Sequence, residues 1–142
     1  SVDDNGAALT VDNGGTFASI LVTSGTKMAM YVSGSASINY DATGVITLGT
    51  GSWFHVGLTY NSTDGLRGYV NGTLDGTAAA NGTILAIVGT SMIGDDAGAA
   101  GRRWNGAIDD VAVFNRALTQ AEVQDIYNDV AISGFNLTSK YW

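Results

Sequence analysis

Few side chains in this chain are suited to acid–base or nucleophilic chemistry. His55 is the single histidine, Glu122 is the single glutamate, and cysteine is absent. A general base would have to be His55 or a carboxylate. His55 stands in the middle of an alternating run, and the family resemblance given below implies that it packs rather than catalyses. Glu122 stands three residues after Thr119, the spacing of a helix capping box, which accounts for it without any chemistry.

The aspartate pairs are the candidate metal ligands. Asp95 and Asp96 follow a short apolar run into a loop, and Asp110 belongs to a second pair further along. Ca²⁺ takes six to eight oxygen ligands from carboxylates and carbonyls, so calcium is the cofactor that these residues would suit. No contiguous calcium loop is present. The alternative, that these aspartates bond local amides in turns, therefore stays open.

The sequence Arg102-Arg103-Trp104 is the candidate ligand-binding segment. Guanidinium groups and an indole ring together offer hydrogen bonds and a stacking surface to a sugar or an acidic partner. For Trp104 the alternative, which the family resemblance given below implies, is packing at the start of the closing strand. Other aromatic residues that could stack on a glycan are Tyr31, Tyr40 and Trp142.

Composition excludes several classes of protein. The chain has 142 residues, 45% of them hydrophobic and 13% charged, which predicts one folded domain over 1–142. A net charge of −7 with six Lys and Arg residues argues against nucleic acid and anionic membrane partners. No apolar run reaches the roughly 20 residues of a membrane-spanning helix, so we expect no membrane insertion.

Short alternating runs separated by Gly, Asn, Asp and Ser predict β-structure throughout. Turn signals recur about every ten residues, which is typical of an all-β sandwich or barrel. The predicted strands are Ala8–Val11, Phe17–Val22, Met28–Val32, Ala36–Tyr40, Val45–Leu48, Trp53–Tyr60, Leu66–Val70, Thr83–Val88, Ser91–Ile93 and Ala107–Phe114, with a last strand in the tail GFNLTSKYW.

Two local signals are stronger than the rest. Asn71-Gly72 between two extended runs predicts a two-residue hairpin turn, because both central residues of a type I′ turn need φ > 0. Thr119 and Glu122 predict a helix start, with Leu118 and Val123 as its hydrophobic staple. One short amphipathic helix cannot form a layer of its own. We expect it to pack on a sheet edge or at an end of the sandwich.

The order of these motifs resembles the laminin-G-like (LamG) branch of the concanavalin A-like lectin/glucanase superfamily, specifically from about Ser52 to Asn128. The matching positions are Trp53, His55, Thr59-Tyr60, Tyr69 to Gly72, Ile93-Gly94, Gly106 to Asp110 and Asn115 to Leu118. The resemblance implies an antiparallel β-sandwich (jelly roll) with one short C-terminal helix. It also implies calcium at the sandwich rim, which adds to the case for Asp95, Asp96 and Asp110 as ligands.

The chain departs from the family pattern at its beginning. The family usually has one or two strands before the segment that FASILV matches, and this chain begins too late to supply all of them. Either Ser1–Val11 provides a shortened version, or a partner chain or an upstream segment completes the sheet. Because an unpaired edge invites association, we expect self-association or a larger assembly.

Two functions follow from the resemblance and the residues. The first is a non-catalytic recognition module that binds glycans or proteins outside the cell, at a cell surface or on a virion. The second is a structural subunit of an extracellular or viral assembly, such as a virion decoration or fibre protein or a surface filament. An enzyme is disfavoured, because the glucanase relatives use two glutamates on one strand and this chain has no such motif.

Overall fold

The computed structural model describes residues 6–12, 17–23, 27–32, 51–79, 89–95 and 102–129. These residues form seven strands and one helix. The strands are β1 (Ala7–Asp12), β2 (Phe17–Thr23), β3 (Lys27–Val32), β4 (Val56–Asn61), β5 (Gly65–Val70), β6 (Thr73–Ala78) and β7 (Met92–Ile93), and the helix is α1 (Gln120–Tyr127).

The strands form two antiparallel sheets. One sheet has the order β3-β2-β1-β7 and the other has the order β4-β5-β6. The second sheet is a simple meander, since each of its strands pairs with the next along the chain. In the first sheet β7 returns from late in the chain to pair with β1, with Leu9 opposite Ile93.

The two sheets enclose the main core. Side chains alternate along each strand, so one face of β5 contributes Leu66 and Val70, which are 0% and 1% exposed. They pack with Ile20, Met30 and Val32 of the other sheet. The predicted antiparallel β-sandwich is confirmed.

The opposite face of β5 forms a second, smaller core beneath the helix. Tyr69 is fully buried there and clusters with Leu118 and Val123. The helix packs on the outer face of the three-stranded sheet, against its edge strand β6 and the β5–β6 turn. We had expected packing at a sheet edge or at an end of the sandwich, and only the contact with the outer face was not predicted. The reason is Tyr69, a large ring on the outer side of a central strand, which needs a cover to be removed from water.

Both strong local signals are confirmed. Asn71 and Gly72 have φ of 49° and 72° between β5 and β6, as a type I′ turn requires. At the start of α1, the Thr119 side chain accepts from the Glu122 N–H, and the Glu122 carboxylate accepts from the Thr119 N–H. Leu118 and Val123 are both buried and share the small core, which is the staple.

The prediction of a strand at Ala107–Phe114 is wrong. These residues belong to no strand, and Val111 and Val113 are 41% and 62% exposed. Asp110 has φ of 50°, a left-handed conformation that interrupts an extended run. Its N–H bonds to the Asp109 carboxylate at 2.8 Å, which holds this local bend. Alternation alone predicted a strand, but the bend stops one from forming.

The other strand predictions divide into two groups. Those corresponding to β1, β2, β3, β5 and β7 are confirmed to within two residues at each end, whereas β4 begins at Val56 rather than at Trp53. Ala36–Tyr40, Val45–Leu48, Thr83–Val88 and the tail strand lie outside the described residues.

Candidate functional site

The segment Arg102–Trp104 lies against β1 and the residue that follows β7. The Ala7 N–H donates to the Arg102 carbonyl, and the Trp104 N–H donates to the Gly94 carbonyl, both at 2.9 Å. The Gly94 N–H in turn donates to the Ala8 carbonyl at 2.9 Å. Three separate parts of the chain are thus joined by backbone hydrogen bonds, which position Arg102–Trp104 on a sheet.

Gly6 allows this close approach. A Cβ atom at Gly6 would lie 3.1 Å from the Arg103 carbonyl oxygen and 3.5 Å from the Trp104 Cα. A larger residue would push the segment away from β1, so the glycine is needed for packing rather than for its backbone conformation.

Arg103 and Asp95 meet across this junction. The Arg103 Nε lies 3.6 Å from an Asp95 carboxylate oxygen, and the two side chains are 84% and 38% exposed. Such an exposed pair adds little to stability. It does hold a cationic group at the surface, next to a backbone that the sheet fixes in place. Arg102, by contrast, is half-buried.

Trp104 is half-buried and oriented by a local hydrogen bond. Its indole Nε1 donates to the Ala107 carbonyl at 3.3 Å, although the strand that it was expected to begin is absent. The ring therefore has a packing role, with part of its surface left available beside Arg103. The structure brings together Asp95, which was predicted as a metal ligand, and Arg103, which was predicted as a ligand-binding residue.

The described residues do not fit a calcium site. Within the described ranges, no three His, Cys, Asp or Glu side chains come together. The Asp95 carboxylate faces a guanidinium, and Asp110 lies exposed at the bend described above. Calcium needs six to eight oxygens, far more than Asp95 offers here. Asp96 lies outside the described residues.

The two residues with potential for acid–base chemistry are engaged in packing and capping. The centroid of the His55 ring lies 5.9 Å from that of the Tyr127 ring at the end of the helix. Desolvation on burial lowers the pKa of the His55 imidazole. The Glu122 carboxylate accepts from both terminal guanidinium nitrogens of Arg116, at 2.6 and 2.9 Å. This bidentate pair is the main cause of a Glu122 pKa of about 2. Both expectations from the sequence, packing for His55 and capping for Glu122, agree with these contacts.

Two exposed aromatic residues that were not predicted as ligand-binding residues lie just before β4 and at the end of α1. Trp53 is 68% exposed and Tyr127 is 47% exposed, with the His55 ring against Tyr127. The signal was available, because Phe54 and Val56 pack inward and alternation then turns Trp53 outward. Of the aromatic residues suggested instead, the Tyr31 side chain, Tyr40 and Trp142 lie outside what the structure describes.

A shallow pocket of about 160 Å³ lies on the same outer face beside the start of the helix. Its charged members, Asp64 and Arg67, pair with each other at 3.4 Å, and Thr119 is occupied by the helix cap. The polar groups of this pocket therefore serve the local structure.

The chain belongs to the concanavalin A-like lectin/glucanase superfamily, since a laminin-G-type family model matches residues 1–124. A curated relative is human adhesion G-protein coupled receptor D1, which is 37% identical over 91 residues, or 61% of this chain. That match spans 10% of the receptor. The resemblance inferred from the motifs is confirmed.

A solved structure supports the same fold. The native heptameric SAP-like pentraxin from Limulus polyphemus aligns with a TM-score of 0.67 and 26% sequence identity. The alignment covers 87% of this chain and 63% of the pentraxin chain.

Within the described residues, none of the helices is long and apolar enough to cross a membrane.

Proposed function

We propose that this chain is a non-catalytic recognition module that acts outside the cell and binds an acidic glycan or an acidic protein surface at Arg102–Trp104. The observation that carries the proposal is Arg103, a cation 84% exposed on a segment whose backbone is bonded to two parts of a sheet. A rigid scaffold lowers the entropy cost of binding. Family membership and the adhesion receptor relative support a binding role over catalysis.

The test is a pair of matched arginine substitutions. Arg103→Gln and Arg67→Gln remove the same charge, and each arginine is paired with an aspartate, at 3.6 and 3.4 Å. The probes are a sulfated heparin decasaccharide and poly-glutamate. Isothermal titration calorimetry measures the affinity of the unmodified chain and of each variant for both probes, at low and at high salt. We expect Arg103→Gln to weaken binding about two- to fivefold, since exposed ion pairs contribute up to about 1 kcal/mol.

Arg67→Gln should bind the probes with the same affinity as the unmodified chain. High salt should reduce the affinity of the unmodified chain and of this variant alike. Equal losses in the two variants, or no binding of either probe by the unmodified chain, would contradict the proposal. The two probes also separate a glycan from an acidic protein as the ligand class.

A second candidate function is that of a structural subunit in an extracellular or viral assembly. The observation that favours it is the exposure of Val111, Val113 and Ile93, at 41%, 62% and 59%. Isolated exposed apolar residues are common on monomers, but here two valines stand one residue apart. Association with other copies would remove them from water.

A further inference from the structure

His55 lies where the start of β4, the β5–β6 turn and the end of α1 meet. Its ring contacts the Tyr127 ring, with 5.9 Å between the two centroids. The Asn71 N–H donates to the His55 carbonyl at 2.8 Å, and the Asn71 side chain accepts from the His55 N–H at 3.0 Å. Because these two hydrogen bonds involve only the His55 backbone, they hold the ring against the last turn of the helix whatever its protonation state.

The His55 Nδ1 atom is buried and has no hydrogen-bond partner within the described part of the chain. A neutral imidazole tolerates this, because its single proton can stay on Nε2 and leave Nδ1 unprotonated. An imidazolium carries a proton on both nitrogens, so it would bury an N–H donor that has no acceptor. A buried donor without a partner is destabilising, and more so when it is charged. The packed geometry is therefore complementary to the neutral ring.

The charged groups around His55 do not remove this cost. Neither β4 nor the residues 51–55 before it contain a charged side chain other than His55 itself. The other ionisable groups on the elements around it, besides Tyr127, are Arg67, Tyr69, Asp75, Glu122, Asp125 and Asp129. Burial lowers the pKa of the His55 imidazole from its ordinary value of 6.5, and none of these groups offsets that shift.

We propose that His55 makes the docking of α1 on the β5–β6 turn sensitive to pH, so that acidification releases the end of the helix at Tyr127 while the sandwich stays folded. The charged ring is better solvated in water, which it reaches when the last turn of α1 separates from the turn. Tyr127, Asn128 and Asp129 are already exposed, whereas the capping box holds the start of the helix separately. This device is independent of ligand binding at Arg103.

The direction of the pH dependence follows from the preference of the packed form for the neutral ring. A histidine whose pKa is lowered in the packed form stabilises that form fully above pH 6.5. That contribution is lost as the pH falls from 6.5 to the lowered pKa. Glu122, by contrast, titrates between its ordinary value of 4.5 and about 2, so the effect of His55 begins at a higher pH.

NMR spectroscopy of the unmodified chain tests the proposal. Since His55 is the only histidine, its imidazole signals titrate without overlap from another one, and we expect a pKa below 6.5. The Asn128 amide donates to Gln124 in the last turn of α1, and its protection factor should fall about fivefold or more between pH 7 and pH 5. The Gly94 amide, which donates to Ala8 in the other sheet, should keep its protection.

Substitutions at the two rings test the cause. His55→Gln keeps a polar side chain that does not titrate, so the Asn128 protection factor should no longer change with pH. Tyr127→Ala removes the ring that contacts His55 and should raise the His55 pKa toward 6.5. The matched variant Tyr127→Phe retains the ring and should leave that pKa low.

Four results would each overturn the proposal. They are a His55 pKa at or above 6.5, an Asn128 protection factor that stays constant from pH 7 to pH 5, and an Asn128 protection factor that still falls in His55→Gln. The fourth is a loss of Gly94 protection together with that of Asn128, because it would mean that acid unfolds the whole domain rather than releasing the helix end.

Discussion

Glu122 shows how a single side chain can serve several contacts at the start of the helix. Its carboxylate accepts from the Thr119 N–H at 2.8 Å and from two nitrogens of Arg116. The Thr119 hydroxyl in return accepts from the Glu122 N–H. One carboxylate therefore joins the capping box to the loop before it. These contacts give the only glutamate in the chain a structural role.

At the residue scale we predict an acid-sensitive helix start. The Arg116 hydrogen bonds lower the pKa of Glu122 from its ordinary value of 4.5 to about 2. A lowered pKa in the folded state contributes stability above pH 4.5, which is lost as the pH falls toward 2. We expect the urea midpoint of the unmodified chain to exceed that of Glu122→Gln at neutral pH. That difference should shrink from about pH 4.5 downward, as followed by circular dichroism.

The comparison with Glu122→Gln is needed because other carboxylates also titrate in this range. Glutamine retains a side-chain acceptor for the capping box but cannot form the ion pair. A difference in midpoint that stays constant from pH 7 to pH 2.5 would contradict the assigned role of the Arg116 pair.

At the scale of elements, the β5–β6 turn and the helix support each other. A Cβ atom at Gly72 would lie 3.1 Å from Tyr127 side-chain atoms and 3.3 Å from the Gln124 Cα. The helix therefore rests directly on the turn. The His55 carbonyl accepts from the Asn71 N–H, and the Asn71 side chain accepts from the His55 N–H, which fastens the turn to the residues before β4.

We predict that Gly72→Ala destabilises the chain more than Gly51→Ala does. Both glycines have positive φ, of 72° and 86°, so both substitutions carry a left-handed conformational cost of roughly 1–2 kcal/mol. At Gly51 a Cβ meets nothing within 4 Å, whereas at Gly72 it meets the helix. We expect a further loss of about 1–3 kcal/mol in the free energy of unfolding for Gly72→Ala. Urea unfolding of both variants measures the difference, and equal losses would show that the helix does not rest on the turn.

These elements also show what a sequence can and cannot predict. The Asn71-Gly72 turn and the Thr119 cap depend on neighbouring residues alone, and both were predicted correctly. The failed strand at Ala107–Phe114 had the right alternation, but a strand also requires a partner and a backbone free of bends. The left-handed Asp110 removes the second condition.

The candidate site was less predictable for a related reason. Arg103 and Asp95 were each identified as candidates, but as members of different sites. Their contact depends on β7 returning to β1, which brings distant parts of the chain together. The exposure of Trp53 could have been predicted from the alternation in the sequence Trp53–Tyr60, since Phe54 packs inward.

At the scale of the whole molecule, the two sheets differ in how far apart along the chain their paired strands lie. The three-stranded sheet joins neighbours in the chain, with a two-residue turn between β5 and β6. The four-stranded sheet is completed by β7, which pairs with β1 after most of the chain has intervened. The Arg102–Trp104 segment attaches at that second junction, so the candidate binding site depends on the long-range contact.

This difference in connectivity gives the molecule an expected order of assembly. Short loops close at lower entropic cost than long ones, so the meander should form early in refolding and the β1–β7 pairing late. Pulsed hydrogen exchange should protect the Gly68 amide within β5 before the Gly94 amide, which donates to Ala8. Simultaneous protection of both amides would mean that the domain forms in one step. If this order holds, the surface that presents Arg103 is the last part of the domain to fold and the first to unfold under denaturing conditions.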